Sequence, residues 1–221
     1  MKKLLTIALL TACWNAALAQ GSCSSDRQPR PAALLERFIN ADCASCWSDT
    51  QAPKAKSGEV ALDWIVPGSR GDDAPLSAAA TRDASYRLQA LNRPAPAQTS
   101  QTTAPSSRTR TLRVAHGQPF NDYIGASIEM KPAPRGAWTA WLALVETIPV
   151  GTEGSAVERN LVRNLLQVPW QAARPAARLI ESRSMQIPEG ARGERLRVIG
   201  WVEDAGGRIQ GIAQSVCDAP R

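Results

Sequence analysis

Two cysteines separated by two residues are the clearest chemical feature of the sequence. Cys43 and Cys46 follow the apolar segment 34–40 and enclose Ala44 and Ser45. This spacing is typical of a dithiol that exchanges with other disulfides, a reaction in which a thiolate attacks a sulfur atom. It equally suits a small structural disulfide in an exported protein, and it can supply two thiolate ligands to a metal. The residues alone leave these three interpretations open.

The redox interpretation gives the two sulfur atoms different roles. Cys43 is the candidate nucleophile, and Cys46 resolves the mixed disulfide. A nucleophilic cysteine needs a stabilised thiolate, which a nearby cation provides. Lys54 and Lys56 are the only nearby lysines, whereas the adjacent Asp42 disfavours the thiolate by like charge. Whether the chain is an enzyme is therefore left open by the sequence.

His116 is the only histidine of the chain. Together with Cys43 and Cys46 it could form a three-ligand Cu(I) site, because soft thiolates suit that ion. A single histidine between Ala115 and Gly117 is more often a loop residue that makes a hydrogen bond. We assign no metal site and no cofactor from the sequence, and we keep Cu(I) handling by the two cysteines as a third hypothesis.

Residues 1–19 have the pattern of a secretory signal peptide. A lysine pair precedes a short apolar segment, and Ala17-Leu18-Ala19 is a small-x-small cleavage site. The apolar segment is too short to span a bilayer. A second interpretation is a lipobox that ends at Cys13, which would become a lipidated first residue. We predict a periplasmic or secreted protein without a transmembrane segment in its mature chain, with a lipid-anchored envelope protein as the alternative.

Export to an oxidising compartment would allow the cysteines of the mature chain to form disulfides. If Cys13 leaves with the signal peptide, four cysteines remain, and an even number in an oxidising compartment predicts disulfides. Three pairings are possible. The most economical pairing joins Cys43 to Cys46 and Cys23 to Cys217. A bridge that closes so long a loop contributes about 4–5 kcal/mol in the chain-entropy model.

The apolar pattern changes along the chain. Residues 34–40 and 60–66 predict buried strands, although 34–40 also fits a helical turn, and residues 76–91 have helical spacing. Residues 94–110 are rich in Pro, Ser, Thr and Gln and predict a flexible linker.

Beyond residue 110 the apolar period is two, which predicts strands with turns between them and so a β-sandwich. In the strand predicted over 137–145 both faces are apolar. Residues 179–187 predict a more exposed strand, and 157–165 fit a helix or a strand equally. The last two strands form a predicted hairpin over 196–216.

Several short motifs resemble those of a known family. Asp42-Cys43-Ala44-Ser45-Cys46 stands where that family has Gly-Cys-Ser-Ser-Cys. Thr81-Arg82-Asp83-Ala84-Ser85-Tyr86 is similar to its Thr-x-Arg-Gln-x-x-Tyr, and Asn160-Leu161-Val162-Arg163 to its Asn-Val-Val-Arg. The chain thus resembles a domain-of-unknown-function family of secreted thioredoxin-like proteins from Gram-negative bacteria.

The chain departs from that family at two places. Asp63-Trp64-Ile65-Val66-Pro67 replaces the family's His-Val-Asp-Tyr-Trp, and Thr111-Leu112-Arg113 has leucine where the family has a proline facing the dithiol. The resemblance implies an α+β chain. Its parts would be a degenerate thioredoxin-like domain over residues 20–93, a linker over 94–110 and a β-sandwich-like domain over 111–221.

These observations support two main functional hypotheses. The first is a non-catalytic interaction or structural module of the cell envelope with an unidentified protein partner. The alternative is a periplasmic thiol–disulfide oxidoreductase that uses Cys43 and Cys46. A nucleic-acid partner is not expected: the net charge of +6 comes from scattered arginines, and only Arg108, Arg110 and Arg113 form a local basic group.

Overall fold

The computed structural model describes residues 23–217, which form mainly β-strands. The predicted signal peptide, its cleavage site and Cys13 lie outside the described residues. In chain order the strands are β1 (Cys23–Ser24), β2 (Ala33–Asn40), β3 (Glu59–Val66), β4 (Thr99–Pro105), β5 (Thr111–His116), β6 (Tyr123–Lys131), β7 (Gly136–Ile148), β8 (Arg159–Ala172), β9 (Leu179–Gln186), β10 (Leu196–Asp204) and β11 (Ile209–Gln214). The α-helices of the described chain are α1 (Ala44–Trp47) and α2 (Arg82–Ala90), and 3-10 turns occur at Gly71–Asp73, Ser77–Ala79 and Gly193–Arg195.

The strands form two sheets. The larger has seven strands in the order β11-β10-β7-β8-β3-β2-β4, and the smaller has four in the order β1-β5-β6-β9. β3 pairs in parallel with β2 on one side and with β8 on the other. One continuous sheet therefore contains strands from both sides of the predicted linker. No helix within residues 23–217 is long and apolar enough to cross a membrane.

The predicted fold class is wrong. We expected an α+β chain with a degenerate thioredoxin-like domain and a β-sandwich-like domain, but the described chain is a β-rich fold of two sheets with two α-helices. The helix at the dithiol is only four residues long, and the chain beyond it soon reaches Pro53, which a helix interior does not tolerate. The smaller sheet, rather than a layer of helices, covers one face of the larger sheet.

The structure also differs from prediction at residues 94–110, where a flexible linker was expected. This segment contains β4, whose backbone pairs with β2 from Ala33 opposite Pro105 to Ile39 opposite Thr99. β4 lies at the edge of the larger sheet, with alternate side chains exposed. A strand in that position needs no apolar face, because its backbone hydrogen bonds to one neighbour hold it in place.

β7 shows how the larger sheet separates two cores. Trp141 and Val145 lie in a buried cluster with Leu88 of α2. Leu142 and Leu144 point the other way, into a cluster shared with the smaller sheet. The expectation that both faces of this strand are buried is confirmed, since successive side chains of a strand point to opposite faces.

The helix predicted over 76–91 forms only in its second half. Ser77–Ala79 is a 3-10 turn, and α2 begins after Thr81. The Thr81 hydroxyl accepts a hydrogen bond from the backbone N–H of Ala84 at 3.3 Å, which caps the helix. The segment 157–165, which fitted a helix or a strand equally, is largely part of β8.

A buried ion cluster lies beneath α2. Arg87 donates from Nε and Nη2 to the two carboxylate oxygens of Glu36 at 2.8 and 2.9 Å, and its Nη1 lies 2.9 Å from Glu203. Its guanidinium lies 4.8 and 5.0 Å from the ring centroids of Trp141 and Trp201. Each of these charges therefore has a partner, as burial requires. This cluster lies on the α2 face of the sheet.

Candidate active site

The Cys43–Cys46 pair lies where β2 leaves the sheet. β2 ends at Asn40, the N–H of Cys43 donates to the Asn40 carbonyl at 3.0 Å, and α1 begins at the next residue. The two cysteines form a disulfide, and both are half-buried. The buried strand thus delivers a disulfide to a bend at the protein surface.

Ser45 contacts one sulfur of this disulfide. Its Oγ lies 3.6 Å from Cys43 Sγ. A disulfide sulfur carries no proton, so the hydroxyl is the donor. The same hydroxyl is placed to stabilise a Cys43 thiolate after reduction, because hydrogen bonds to a charged form favour that form.

Asp42, expected to disfavour the thiolate, binds the loop after β3. Its carboxylate accepts hydrogen bonds from the Ser69 N–H at 2.8 Å, the Ser69 hydroxyl at 2.9 Å and the Arg70 N–H at 3.3 Å. Desolvation acts to raise the pKa of Asp42, but these hydrogen bonds and the nearby charge of Arg70 outweigh it, and the pKa is lowered. The carboxylate therefore anchors the loop after β3. Gly68 permits this approach, since an added Cβ would lie 2.2 Å from Asp42 Oδ1.

Three buried charged residues lie next to the segment that carries the disulfide. Asp63 of β3 binds two guanidinium groups, with Arg37 Nη2 at 2.6 Å and Arg159 Nη1 at 2.9 Å. We call these three residues the Asp63 triad. Its members are at most 5% exposed at their side chains, and two cations with one anion give it a net charge of +1.

Arg159 joins the triad to the disulfide. Its Nη2 donates to the carbonyl oxygens of Trp47 at 2.9 Å and Cys46 at 3.4 Å, and its guanidinium lies 5.0 Å from the Trp47 ring centroid. The Trp47 indole N–H donates to the Glu153 carbonyl at 2.8 Å. Arg159 therefore holds the backbone of α1, Glu153 holds the side chain of Trp47, and a guanidinium group contacts the Cys46 carbonyl.

A cavity of about 300 Å³ opens beside Cys46. Arg37 and Arg159 form part of its wall, and β4 contributes residues 99–101 from the edge of the sheet. A volume of this size is at the lower end of the range for small-ligand sites. The cavity brings one cysteine of the disulfide, two cations and a strand edge to the same place.

The structure places His116 away from this site. A ring nitrogen of His116 and the sulfur atoms of Cys23 and Cys217 all lie within 4.8 Å of one another. Within the described part of the chain this is the one such group of three His, Cys, Asp or Glu ligands. The histidine considered as a Cu(I) ligand with Cys43 and Cys46 is thus next to the other cysteine pair.

Cys23 and Cys217 form the second disulfide, across a sequence separation of 194. Cys23 is 2% exposed, whereas Cys217 is exposed. The expectation of a disulfide-bonded chain is confirmed, and the two bonds are those of the most economical pairing.

The Asp63 triad was missed at the sequence level. A signal was present: Arg37 lies within the strand predicted over 34–40, and Asp63 within that predicted over 60–66. A charged residue in a buried strand requires a partner, because an unpaired charge is strongly disfavoured in the interior. The pattern could not identify Arg159 as that partner, since it lies 96 residues from Asp63.

A comparison with solved structures shows a similarity in fold. Among solved structures, the X-ray crystal structure of a protein from Agrobacterium tumefaciens is similar to this chain. The two share 14% identity, the alignment covers 88% of this chain and 98% of that one, and the TM-score is 0.49. No protein-family model and no curated protein matches the chain.

Proposed function

We propose that the protein exchanges disulfides with exported thiol proteins through Cys43 and Cys46. The observation that carries the proposal is the position of this disulfide: it is half-buried at a surface bend, and Cys46 borders a cavity lined by two arginines. A substrate thiolate needs access to a sulfur and a stabilised leaving thiolate. The surface bend supplies access, and the arginines supply the positive charge.

The reaction has two balanced steps. A substrate thiolate attacks Cys43 Sγ, which forms a mixed disulfide and releases Cys46 as a thiolate. A second substrate thiol then loses its proton and attacks the substrate sulfur of the mixed disulfide, which releases Cys43 and leaves the substrate disulfide-bonded. The substrate loses two electrons and the protein gains them. A partner disulfide must accept those electrons to restore the starting state.

Two contacts support these roles. The Asp63 triad has a net charge of +1, and its Arg159 contacts the backbone carbonyl of Cys46, the residue that leaves as a thiolate. A nearby cation favours a thiolate by its charge. The Ser45 hydroxyl lies at the sulfur of Cys43, where it stabilises the thiolate that forms when the mixed disulfide is resolved. Ser45 thus acts at the sulfur of Cys43, and Arg159 brings a positive charge to the backbone of Cys46.

A second candidate function is the non-catalytic module. The observation that favours it is the close support of α1, where Arg159 and Glu153 fix both the backbone and the side chain of Trp47. In that case the disulfide closes a rigid turn and takes no part in exchange. The two candidates differ in how readily the bond is reduced.

We further propose that the protein acts outside the cytoplasm. Two disulfides within residues 23–217 support this location, because such bonds persist in oxidising compartments. The signal pattern of residues 1–19 supports the same proposal.

The test uses the purified protein and a reduced peptide that contains two cysteines. We expect the peptide to become disulfide-bonded while Cys43 and Cys46 become free thiols, as shown by alkylation and mass spectrometry. The Cys46→Ser variant, incubated with oxidised glutathione, is expected to keep a glutathione mixed disulfide at Cys43. The matched Cys43→Ser variant lacks the nucleophile and should trap far less. A Cys43–Cys46 bond that stays intact in excess peptide dithiol would overturn the proposal and favour the structural module.

A further inference from the structure

The backbone holds Cys23, His116 and Cys217 together without help from the disulfide. Cys23 of β1 stands directly opposite His116 of β5 in an antiparallel pair. The next residue, Ser24, exchanges two backbone hydrogen bonds with Val216, at 3.1 and 2.9 Å. Because these contacts fix both neighbouring segments, we expect the two sulfur atoms to stay close to the histidine when the bond between them is broken.

His116 has one ring nitrogen free for a ligand. Its Nδ1 lies 2.9 Å from the Gly117 carbonyl oxygen, which can only accept, so Nδ1 carries the proton. Nε2 therefore carries a lone pair, and it is a buried atom without a hydrogen-bond partner among residues 23–217. The side chain is 5% exposed. Donation of the second ring N–H to a backbone carbonyl is the arrangement that orients metal-binding histidines.

The donor atoms are close enough to share an ion. The two sulfur atoms and a ring nitrogen lie within 4.8 Å of one another. Two metal–ligand bonds of about 2.0–2.3 Å can bridge donors up to roughly 4.5 Å apart, so a small adjustment brings all three onto one ion. The described chain adds no fourth His, Cys, Asp or Glu to this group.

We propose that reduction of the Cys23–Cys217 bond opens a Cu(I) site formed by these two cysteines and His116. Two thiolates and one imidazole match a soft ion that accepts three ligands, whereas Zn²⁺ prefers four. While the disulfide is intact, neither sulfur is available as a thiolate. The oxidation state of this bond therefore decides whether the site exists.

Reduction of the Cys23–Cys217 disulfide requires a dithiol reductant. Its two thiols become a disulfide, and the Cys23–Cys217 bond takes up the two electrons and two protons to give two thiols. Cu(I) then replaces both thiol protons, which leave to solvent, while His116 contributes a lone pair. Exposed Cys217 gives the reductant its point of attack, and His116 also borders a surface cavity of about 430 Å³.

The test removes the competing dithiol first. In the Cys43→Ser/Cys46→Ser protein, the remaining disulfide is reduced with dithiothreitol, the reductant is removed without oxygen, and Cu(I) is titrated against bicinchoninate. We expect one Cu(I) per reduced chain and no binding to the oxidised protein. X-ray absorption should show two sulfur ligands and one nitrogen ligand.

His116→Gln supplies the decisive variant, and Ser127→Ala is its control because Ser127 lines the same cavity without a metal ligand. We expect His116→Gln to weaken Cu(I) binding by roughly tenfold or more and to remove the nitrogen ligand. Mutation of a residue that only hydrogen-bonds to a metal ligand already lowers metal affinity by about tenfold or more. Ser127→Ala should change neither. Circular dichroism of the oxidised variants checks their folding. Unchanged affinity and ligands in His116→Gln would overturn the proposal, as would reduced protein that fails to bind Cu(I) or remains unfolded with it.

Discussion

Asp63 and Arg159 form a buried ion pair between β3 and β8, with Oδ1 and Nη1 2.9 Å apart and both side chains no more than 1% exposed. Asp63 also accepts hydrogen bonds from Arg37 and from the backbone N–H of Asn160, at 2.6 and 2.9 Å. The two strands pair over a short stretch, with Asp63 in register with Leu161. This carboxylate therefore joins the two parts of the larger sheet.

Replacement of Asp63 by Asn should destabilise the fold strongly. Two buried guanidinium groups would lose their counter-charge, and breaking a buried pair typically costs about 3–5 kcal/mol. Urea unfolding measures the change. The matched control is Asp26→Asn, which breaks an ion pair with Arg113 whose side chains are 53% and 40% exposed. That pair should contribute less than about 1 kcal/mol. Equal losses in the two variants would contradict the role given to the Asp63 triad.

Gly200→Ala should destabilise the contact between the sheets. A Cβ at Gly200 of β10 would lie 2.6 Å from a methyl carbon of Val114 and 2.9 Å from Ile128 Cδ1. Such overpacking costs about 1–3 kcal/mol. Gly125 of β6 provides the control, since a Cβ there meets no atom within 4 Å, and Gly125→Ala should change stability by no more than about 0.5 kcal/mol. Thermal unfolding of both variants tests this difference.

Ser45→Ala should slow alkylation of Cys43 in the reduced protein. The hydroxyl at 3.6 Å stabilises the thiolate, and a hydrogen bond of about 0.5–1.5 kcal/mol corresponds to a rate about two- to tenfold lower at neutral pH. Iodoacetamide labelling followed by mass spectrometry gives the rate at each cysteine. Ser48→Ala is the control, because the Ser48 hydroxyl donates to the Ser45 carbonyl and not to sulfur. The same rate in both variants would exclude the role of Ser45.

Ser69→Ala should raise the pKa of Asp42 toward its ordinary value. Desolvation opposes the lowered pKa, so the hydrogen bonds from Ser69 and Arg70 produce it together with the charge of Arg70. The variant removes one of these hydrogen bonds. Because the folded pKa is below the unfolded one, the carboxylate stabilises the fold at pH above the unfolded value, and this contribution is lost as the pH falls through the folded pKa. Carbon-13 NMR of the Asp42 carboxyl follows the titration. Ser77→Ala is the control, because the Ser77 hydroxyl donates to the Asp72 carbonyl and not to Asp42. The pKa of Asp42 should be the same in this variant as in the unaltered protein.

Where apolar residues formed a continuous run or followed a regular period, the strands could be predicted. The segments 34–40 and 60–66 lie within β2 and β3, and the final hairpin corresponds to β10 and β11. The apolar residues on both faces of the segment 137–145 also predicted that both faces of β7 are buried. In each case hydrophobic burial on known faces determines the local structure, and short-range pattern is enough to detect it.

Long-range pairing could not be predicted in the same way. β4 is polar because its place at the sheet edge is set by backbone hydrogen bonds to β2, so no apolar pattern marks it. His116 reaches Cys23 through the pairing of β5 with β1, which its sequence position does not indicate. The same holds for the Asp63 triad, whose members come from three strands. The sequence shows that a charged residue in a buried strand needs a partner. Only the pairing of the strands shows which residue that partner is.

The bond between Cys23 and Cys217 turns the backbone between them into a covalent ring. A protease that cleaves a single peptide bond within this ring opens it but releases no fragment, since both halves stay attached through sulfur. Tension applied at the two ends likewise passes through the bridge before it reaches the sheets. The ring therefore retains a nicked chain as one molecule until a reductant opens it.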